Sequence, residues 1–362
     1  MTDLDQAVEF AVAHEVKWTR SPAQDSKDYG VHQNDPVPWN VPLGPLHPRG
    51  GVSGVIYVNG QEIKSFGEPT RSDQTFSVAK SYLALMTGKA IELGLIKGLD
   101  QTVFSCVQGI GFDSAHNKSI TWRQLLNQTS EWEGTCFGIP DQVERYRHVV
   151  LDPKPVLGKK GEARALETPG TYWEYNDVRI NQLSLALLHV FGESLSDVFK
   201  RYFLTPLGCS DEFVWEGYDN SWVNVQSKKT GLSERIQSLP GGTHWGGGVR
   251  VSARDQAKIA QLLLSNGQLN QDGRFVELLN ASFIKEMQTP CQIAPFYGLL
   301  TWLNPGRKTF PGASQQAFFM FGAGGNYVWI DPEYRAVVVT RWIDPLYYPK
   351  FTELVEQALF KS

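Results

Sequence analysis

The spacing of apolar positions divides the chain before any residue suggests chemistry. Leu4, Ala7, Val8, Ala11 and Val12 recur at three- and four-residue steps, which predicts an amphipathic helix over 4–15. Residues 21–50 then lose all periodicity and are rich in Pro, Asp, His and Gly. That length is unusual for a structureless connection and implies a wrapping or functional role. In GVIYVNGQEIKSFG, β-rich runs on either side of Asn59-Gly60 predict a hairpin. A helical period follows over 77–95, again over 120–130, over 178–203 with a break at Gly192, and over 253–266. Residues 133–170 are charged, carry Pro and Gly, and show no period. NYVWIDPEYRAVVVTRW reads as two strands around Asp331-Pro332, and FTELVEQALF as a closing helix.

Strands at both ends with helices between them predict an α+β fold. One antiparallel β-sheet, closed by the two termini and flanked by N- and C-terminal helices, would carry a large, mostly helical insertion. The expected parts are 1–74 and 295–362 for the two halves of the α/β portion and 75–294 for the helical portion, as one unit. A site belongs at the seam between sheet and helices, where pockets form.

Composition narrows the function. With 34 basic and 38 acidic residues the net charge is −4, which gives no electrostatic case for nucleic acid or an anionic membrane. No run approaches the ~18 apolar residues of a membrane span. The first residues lack the basic and apolar regions of a secretory signal, and Cys106, Cys136, Cys209 and Cys291 are scattered and read as reduced thiols. The expectation is a cytoplasmic protein. There is no HExxH, no phosphate loop, no GxGxxG and no GxSxG, and the seven histidines show no ligand spacing. The chain is expected to use neither metal nor cofactor.

Chemistry enters at Ser77-Val78-Ala79-Lys80, where the helix over 77–95 begins. A three-residue step puts both side chains on one helix face. Ser77 then sits beside an amine and in the first turn, where the helix N-terminus favours negative charge on its oxygen. An amine in a desolvated cleft can accept a proton near neutral pH.

The blocks QTFSVAKSYLALMTGKAIELGL, ITWRQLLNQTS, ETPGTYWEYNDVRINQL, LTPLG, GGTHWGGGVRVSARDQAKIAQLLL and GAGGNYVWIDPEYRAVVV follow one another in order. This series, from about Gly51 to Val339, resembles the serine β-lactamase-like family, which includes class C β-lactamases, penicillin-binding proteins, esterases and amide hydrolases. The resemblance implies that Ser77 is the nucleophile, Lys80 its neighbouring base, and Tyr175, following Pro169-Gly170, the family tyrosine. Acyl transfer needs two donors for the oxyanion. The N–H groups of Ser77 and, from the strand entered through Gly322 and Gly324, Ala323 are expected to supply them. Trp132, Glu133, Trp173, His244 and Trp245 lie in loops flanking these blocks, and Trp132 and Trp245 are expected to touch substrate, together with Asp177, Gly322 and Gly324.

Two departures from the family pattern matter. Asp177 stands where the family places an amide, so a carboxylate pairs either with Lys80 or with Arg179, alternatives left open by the sequence. No Lys-Thr-Gly is present; the corresponding run is Ala317 to Asn326 and carries no cation. The resemblance therefore implies a hydrolase of small esters or amides working through an acyl-enzyme, rather than an efficient β-lactamase or peptidase. The alternatives are a β-lactamase or D-amino-acid amidase whose substrate carboxylate is held by Arg179 or Arg250, and a catalytically inactive binding protein.

Overall fold

The computed structural model describes residues 3–149, 157–271 and 273–360. Part of the charged stretch over 133–170, residues 150–156, lies outside the described residues. The largest sheet contains β1 (Ser53–Val58), β2 (Gln61–Phe66), β3 (Trp302–Leu303), β4 (Phe318–Gly322), β5 (Asn326–Asp331) and β6 (Ala336–Arg341). Their spatial order is β3-β4-β5-β6-β1-β2, antiparallel throughout. The early hairpin thus docks on the last strand, Ser53 facing Arg341 and Val58 facing Ala336. Asn59 and Gly60 both take positive φ, 51° and 78°, the turn geometry that suits strand twist and that an Asn-Gly pair adopts readily. Every residue of β4, β5 and β6 is buried, so both faces of the sheet centre are covered. That explains why Ala336 to Val339 run apolar without alternation.

Eight α-helices occur among the described residues: α1 (Asp3–Ala13), α2 (Val78–Glu92), α3 (Trp122–Leu126), α4 (Asp177–Phe191), α5 (Leu195–Phe199), α6 (Ala253–Leu264), α7 (Ala281–Met287) and α8 (Tyr348–Phe360). The terminal helices α1 and α8 pack on each other, and Tyr348 of α8 lies 4.1 Å from Tyr327 of β5 between ring centroids. Helix α6 runs along β1, β5 and β6, while α2 meets β4 and β5. Residues Val78 to Ala90 of α2 are all buried, so the helix runs through the interior and carries Lys80, Ser81, Thr87 and Lys89 in with it. Helix α4 begins under Asn176, whose side chain accepts from the Arg179 N–H, and ends at Gly192 in the left-handed conformation. The break expected at Gly192 is where the chain turns.

The α+β architecture agrees with the sequence expectation, with further short strands added in the helical portion. Residues 222–226 pair with 233–237, and 268–271 with 274–277, as small hairpins within the helical portion. These strands are largely exposed and lack apolar alternation, so no periodic signal marks them. A three-stranded sheet also joins 73–74, 248–251 and 214–216. It matters for the site, because its central strand pairs with the residues just before Ser77 and carries the glycine-rich segment 241–247 across them. Among the described residues no helix is long and apolar enough to cross a membrane.

Candidate active site

Ser77 occupies the N-cap of α2 and is half-buried, with its side chain at the wall of a pocket of about 530 Å³. The residue before it, Phe76, has φ of 51°, a conformation that costs a bulky side chain about 1–3 kcal/mol. Packing holds it there: the buried Phe76 ring lies 5.3 Å from Trp18, 6.0 Å from Tyr29 and 6.3 Å from Trp342. The backbone is thereby turned sharply from the strand at 73–74 into α2, presenting Ser77 at the corner.

Lys80 Nζ donates to Ser77 Oγ at 2.7 Å. The same nitrogen forms an ion pair with Asp177 Oδ1 at 2.5 Å, and both side chains are buried. Of the two partners open to Asp177, the structure selects Lys80. Arg179 turns the other way, into a separate buried network with Glu131 at 2.8 Å, Glu174 at 3.3 Å and Asp141 at 3.4 Å. Burial opposes the charge on Glu131, yet Arg164 and Arg179 outweigh it and hold the carboxyl down at about 2. Arg179 is thus committed away from the pocket. Arg250 lies 3.7 Å from Glu216 and does not line the pocket either. Neither arginine is placed to hold a substrate carboxylate.

Tyr175 lines the pocket with Ser77. Its ring is held by Trp302 at 5.5 Å and Trp173 at 6.4 Å, and is approached by Lys80 Nζ at 4.9 Å and Arg147 Cζ at 5.0 Å. Trp173 packs edge-on against Phe296 and Tyr297 behind it, which makes it the support of Tyr175. Gly322 and Ala323 form the opposite lip of the pocket. A Cβ at Gly322 would fall 1.9 Å from Thr75 O, so only glycine lets β4 approach the start of α2 this closely. The turn after it is pinned by Asn326, whose side-chain amide donates to Ala323 O at 2.8 Å. Gly242 closes the back: a Cβ there would lie 3.2 Å from Lys80 Nζ and 3.3 Å from Ser77 Oγ.

Of the expected substrate contacts Gly322 lines this pocket, whereas Asp177, paired with Lys80 behind it, and Trp132, Trp245 and Gly324 do not. Trp132 is buried and donates to Gly111 O at 3.0 Å. Trp245 is buried, donates to Trp39 O at 3.0 Å and packs at a tilt against His244, 4.0 Å between ring centroids. Gly324 faces Trp18, 2.6 Å from where its Cβ would be. In each case a loop residue that reads as exposed in sequence is consumed by packing. Glu133 is likewise anchored through its N–H, which donates to Asn117 Oδ1.

Sequence reasoning missed a cluster of charge at the pocket wall. Arg147 contacts Asp177 Oδ2 at 2.9 Å and also pairs with Glu144; Lys160 pairs with Glu144 Oε1 at 2.8 Å and with Asp35. His244 bridges Asp177 through Nδ1 and Asp35 through Nε2, each at 2.8 Å. Burial disfavours charge on Asp177, but Arg147, Lys80 and His244 hold its carboxyl well below the usual range. Burial likewise works against Glu144, and Arg147, Lys160 and His244 bring it down to about 2. His244 moves the other way: burial disfavours the imidazolium, but Glu144, Asp35 and Asp177 outweigh this and raise it. Ligand atoms of Asp35, Glu144 and His244 lie within 4.8 Å of one another, a spacing that suits a metal ion. Lys160 Nζ already pairs with both carboxylates, so a protein cation supplies the charge there. The signals in sequence were faint: the alternation Glu144-Arg145-Tyr146-Arg147, and Asp35 within the long aperiodic loop.

The comparisons agree with this architecture. The Beta-lactamase family model matches residues 43–341. No curated protein matches the chain. Among solved structures, a putative beta-lactamase from Bacteroides dorei is similar at a TM-score of 0.60 and 17% identity, covering 85% of this chain and 93% of that one. A putative 6-aminohexanoate-dimer hydrolase from Bacillus anthracis gives 0.57 and 17%, covering 96% and 88%. EstCE1, a hydrolase with promiscuous acyltransferase activity, gives 0.57 and 18%, covering 85% and 93%. With its matched span, its sheet and its helical insertion, the chain belongs to the beta-lactamase family, whose members are hydrolases that include amidohydrolases and esterases.

Proposed function

We propose that this protein is a serine hydrolase that cleaves small esters or amides through an acyl-enzyme on Ser77. The observation that carries the reading is the 2.7 Å contact between Lys80 Nζ and Ser77 Oγ at the wall of a pocket that Tyr175 also lines. Ser77 Oγ attacks the substrate carbonyl and its proton passes to the Lys80/Tyr175 pair. Because the Lys80 ammonium is paired with Asp177 and donates to Ser77, the acceptor within that pair is Tyr175 acting as its phenolate, which becomes the phenol as it takes the Ser77 proton. Lys80 and Arg147 lie over the Tyr175 ring and favour the negative charge that its oxygen carries before the proton arrives. The tetrahedral oxyanion rests on the N–H groups of Ser77 and Ala323. Tyr175 returns the proton to the leaving group, and water releases the acyl group by the same route in reverse.

The pocket also indicates the substrate. Trp302, Phe321, Tyr327 and Val31 give it an apolar aromatic wall. The cations opposite, Arg147 and Lys160, already neutralise Asp177, Glu144 and Asp35. This supports small neutral esters and amides over substrates with an obligatory carboxylate. Two solved structures with this fold, described as a putative 6-aminohexanoate-dimer hydrolase and as a hydrolase with promiscuous acyltransferase activity, are in keeping with acyl transfer. A fluorophosphonate probe is expected to label Ser77, and Ser77→Ala to abolish labelling. Turnover of p-nitrophenyl butyrate is expected to exceed that of nitrocefin. Labelling that survives Ser77→Ala would overturn the nucleophile, and efficient nitrocefin turnover would overturn the substrate class.

A further inference from the structure

A continuous chain of polar contacts runs from Ser77 to a residue outside the span that the family model matches. Ser77 Oγ meets Lys80 Nζ at 2.7 Å, and Lys80 Nζ meets Asp177 Oδ1 at 2.5 Å. Asp177 Oδ2 meets His244 Nδ1 at 2.8 Å, and His244 Nε2 meets Asp35 Oδ2 at 2.8 Å. The matched span begins at residue 43, so Asp35 comes from the N-terminal segment that precedes it. We infer that Asp35 is a positioning residue for Ser77, acting through His244, Asp177 and Lys80, and that the N-terminal segment carrying it is a working part of the site. The inference rests on Ser77 being the nucleophile.

The segment is built to hold Asp35 in place. Val31 and Asn34 line the same pocket as Ser77. Tyr29 packs on Phe76, the strained residue that presents Ser77. Arg49 ties the far end of the segment to Glu15 at 2.7 Å and donates to Val16 O at 3.0 Å. Asp35 itself is buried, with a second partner in Lys160.

The chain depends on the charge of His244. An imidazolium donates from both ring nitrogens and satisfies both carboxylates at once; a neutral imidazole donates from one and turns a lone pair toward the other carboxylate. Deprotonation therefore repels Asp177 or Asp35 and loosens the hold on Lys80. The groups facing His244 are Asp177 from α4, Asp35 and His32 from the N-terminal segment, and Glu144 at 3.6 Å from the turn at 141–144. Lys80, Arg147 and Lys160 stand one contact further out. The three carboxylates outweigh burial and raise His244 above its ordinary value, so the imidazolium persists toward higher pH.

The test compares the parent protein with Asp35→Asn and Asp35→Glu. Each is assayed for kcat and KM against pH with p-nitrophenyl butyrate, alongside thermal unfolding and the rate of fluorophosphonate labelling. The parent's kcat is expected to fall on the alkaline side as His244 loses its proton. Asp35→Asn, lacking one of the opposing charges, is expected to move that limb down by about 1–3 pH units. KM below the limb is expected to stay within about twofold, and Asp35→Glu to restore the parent profile. A purely structural role for Asp35 would lower the melting temperature and leave the limb where it is. An unshifted limb in folded Asp35→Asn overturns the inference while Ser77 labelling persists; absence of labelling in the parent at every pH overturns the hydrolase reading instead. If Asp35→Asn does not fold, NMR titration of ¹³C-labelled histidines in the parent decides, with His244 assigned from His244→Gln. Coincidence of its titration with the kinetic limb supports the inference, and a separation of a full pH unit overturns it.

Discussion

The carboxylate of Asp177 lies 2.5 Å from the ammonium of Lys80, with both groups removed from solvent. In water such a pair is worth little. Inside the protein neither charge is tolerable without the other, because desolvation removes several kcal/mol of hydration from each. Asp177 is shared further with Arg147 and His244, so it is the negative centre around which three cationic side chains are arranged.

Asp177→Asn tests that centre, since it keeps shape and removes charge. The substitution leaves Lys80, Arg147 and His244 gathered around an amide. Breaking a buried pair in this way costs about 3–5 kcal/mol. The expected outcome is a lower denaturant midpoint with an unchanged m-value, and slower labelling of Ser77 in the fraction that is folded. A variant as stable as the parent would show that the cations do not depend on the carboxylate.

Tyr175→Phe separates chemistry from packing at one position. The ring keeps its contacts with Trp302 and Trp173, while the phenol oxygen is lost. Thermal stability is expected to stay within about 1 °C, a shift smaller than 1 kcal/mol produces in a protein of this size. Removal of a proton-transfer group lowers kcat by about 10²–10⁴. A kcat within threefold of the parent would remove Tyr175 from the proton path.

The sequence made some parts of this arrangement legible and others not, for physical reasons. Asn59-Gly60 identifies its hairpin because only such pairs take two positive φ angles cheaply, and Gly192 ends α4 for a similar local reason. The Ser77–Lys80 step was legible because a helix fixes the geometry of residues three apart. The partners of Asp177 were not, because ion pairing over long separations depends on tertiary placement: Arg147 and His244 arrive from different loops. Trp132 and Trp245 read as pocket residues only while their loops are imagined as exposed; both are spent on core packing and backbone hydrogen bonds. Asp35 gave no signal beyond the length of the loop that carries it.

Gly322→Ala tests the lip of the pocket. The added methyl would fall 1.9 Å from Thr75 O, which is backbone and cannot rotate aside. Strand β4 must move away from the start of α2, and Ala323 moves with it. Overpacking of this kind costs about 1–3 kcal/mol. The loss in kcat is expected to exceed the loss in stability, at about 10²–10³-fold, if the Ala323 N–H stabilises the oxyanion. Equal kcat in variant and parent would place that donor elsewhere. The comparison is read from kcat at saturating p-nitrophenyl butyrate beside denaturant unfolding.

Acid should unfold the protein through the second ionic network, away from Ser77. Glu131 is buried between Arg164, at 2.6 Å, and Arg179, at 2.8 Å, which pull its carboxyl from 4.5 down to about 2 against the effect of burial. A carboxyl depressed in the folded state adds stability above its unfolded value, and that stability drains away as pH falls toward the folded value. The window for Glu131 is therefore about pH 4.5 to 2, and its contribution above that window is of the order of 3 kcal/mol. Glutamine at this position cannot titrate. Glu131→Gln is expected to be less stable than the parent at pH 7 by an amount that shrinks steadily below pH 4.5 and vanishes near pH 2. Urea unfolding of both proteins at pH 7, 4, 3 and 2.5 reads the difference directly. A gap that stays constant over that series would mean that the glutamate holds its arginines by shape and hydrogen bonding, with charge contributing nothing.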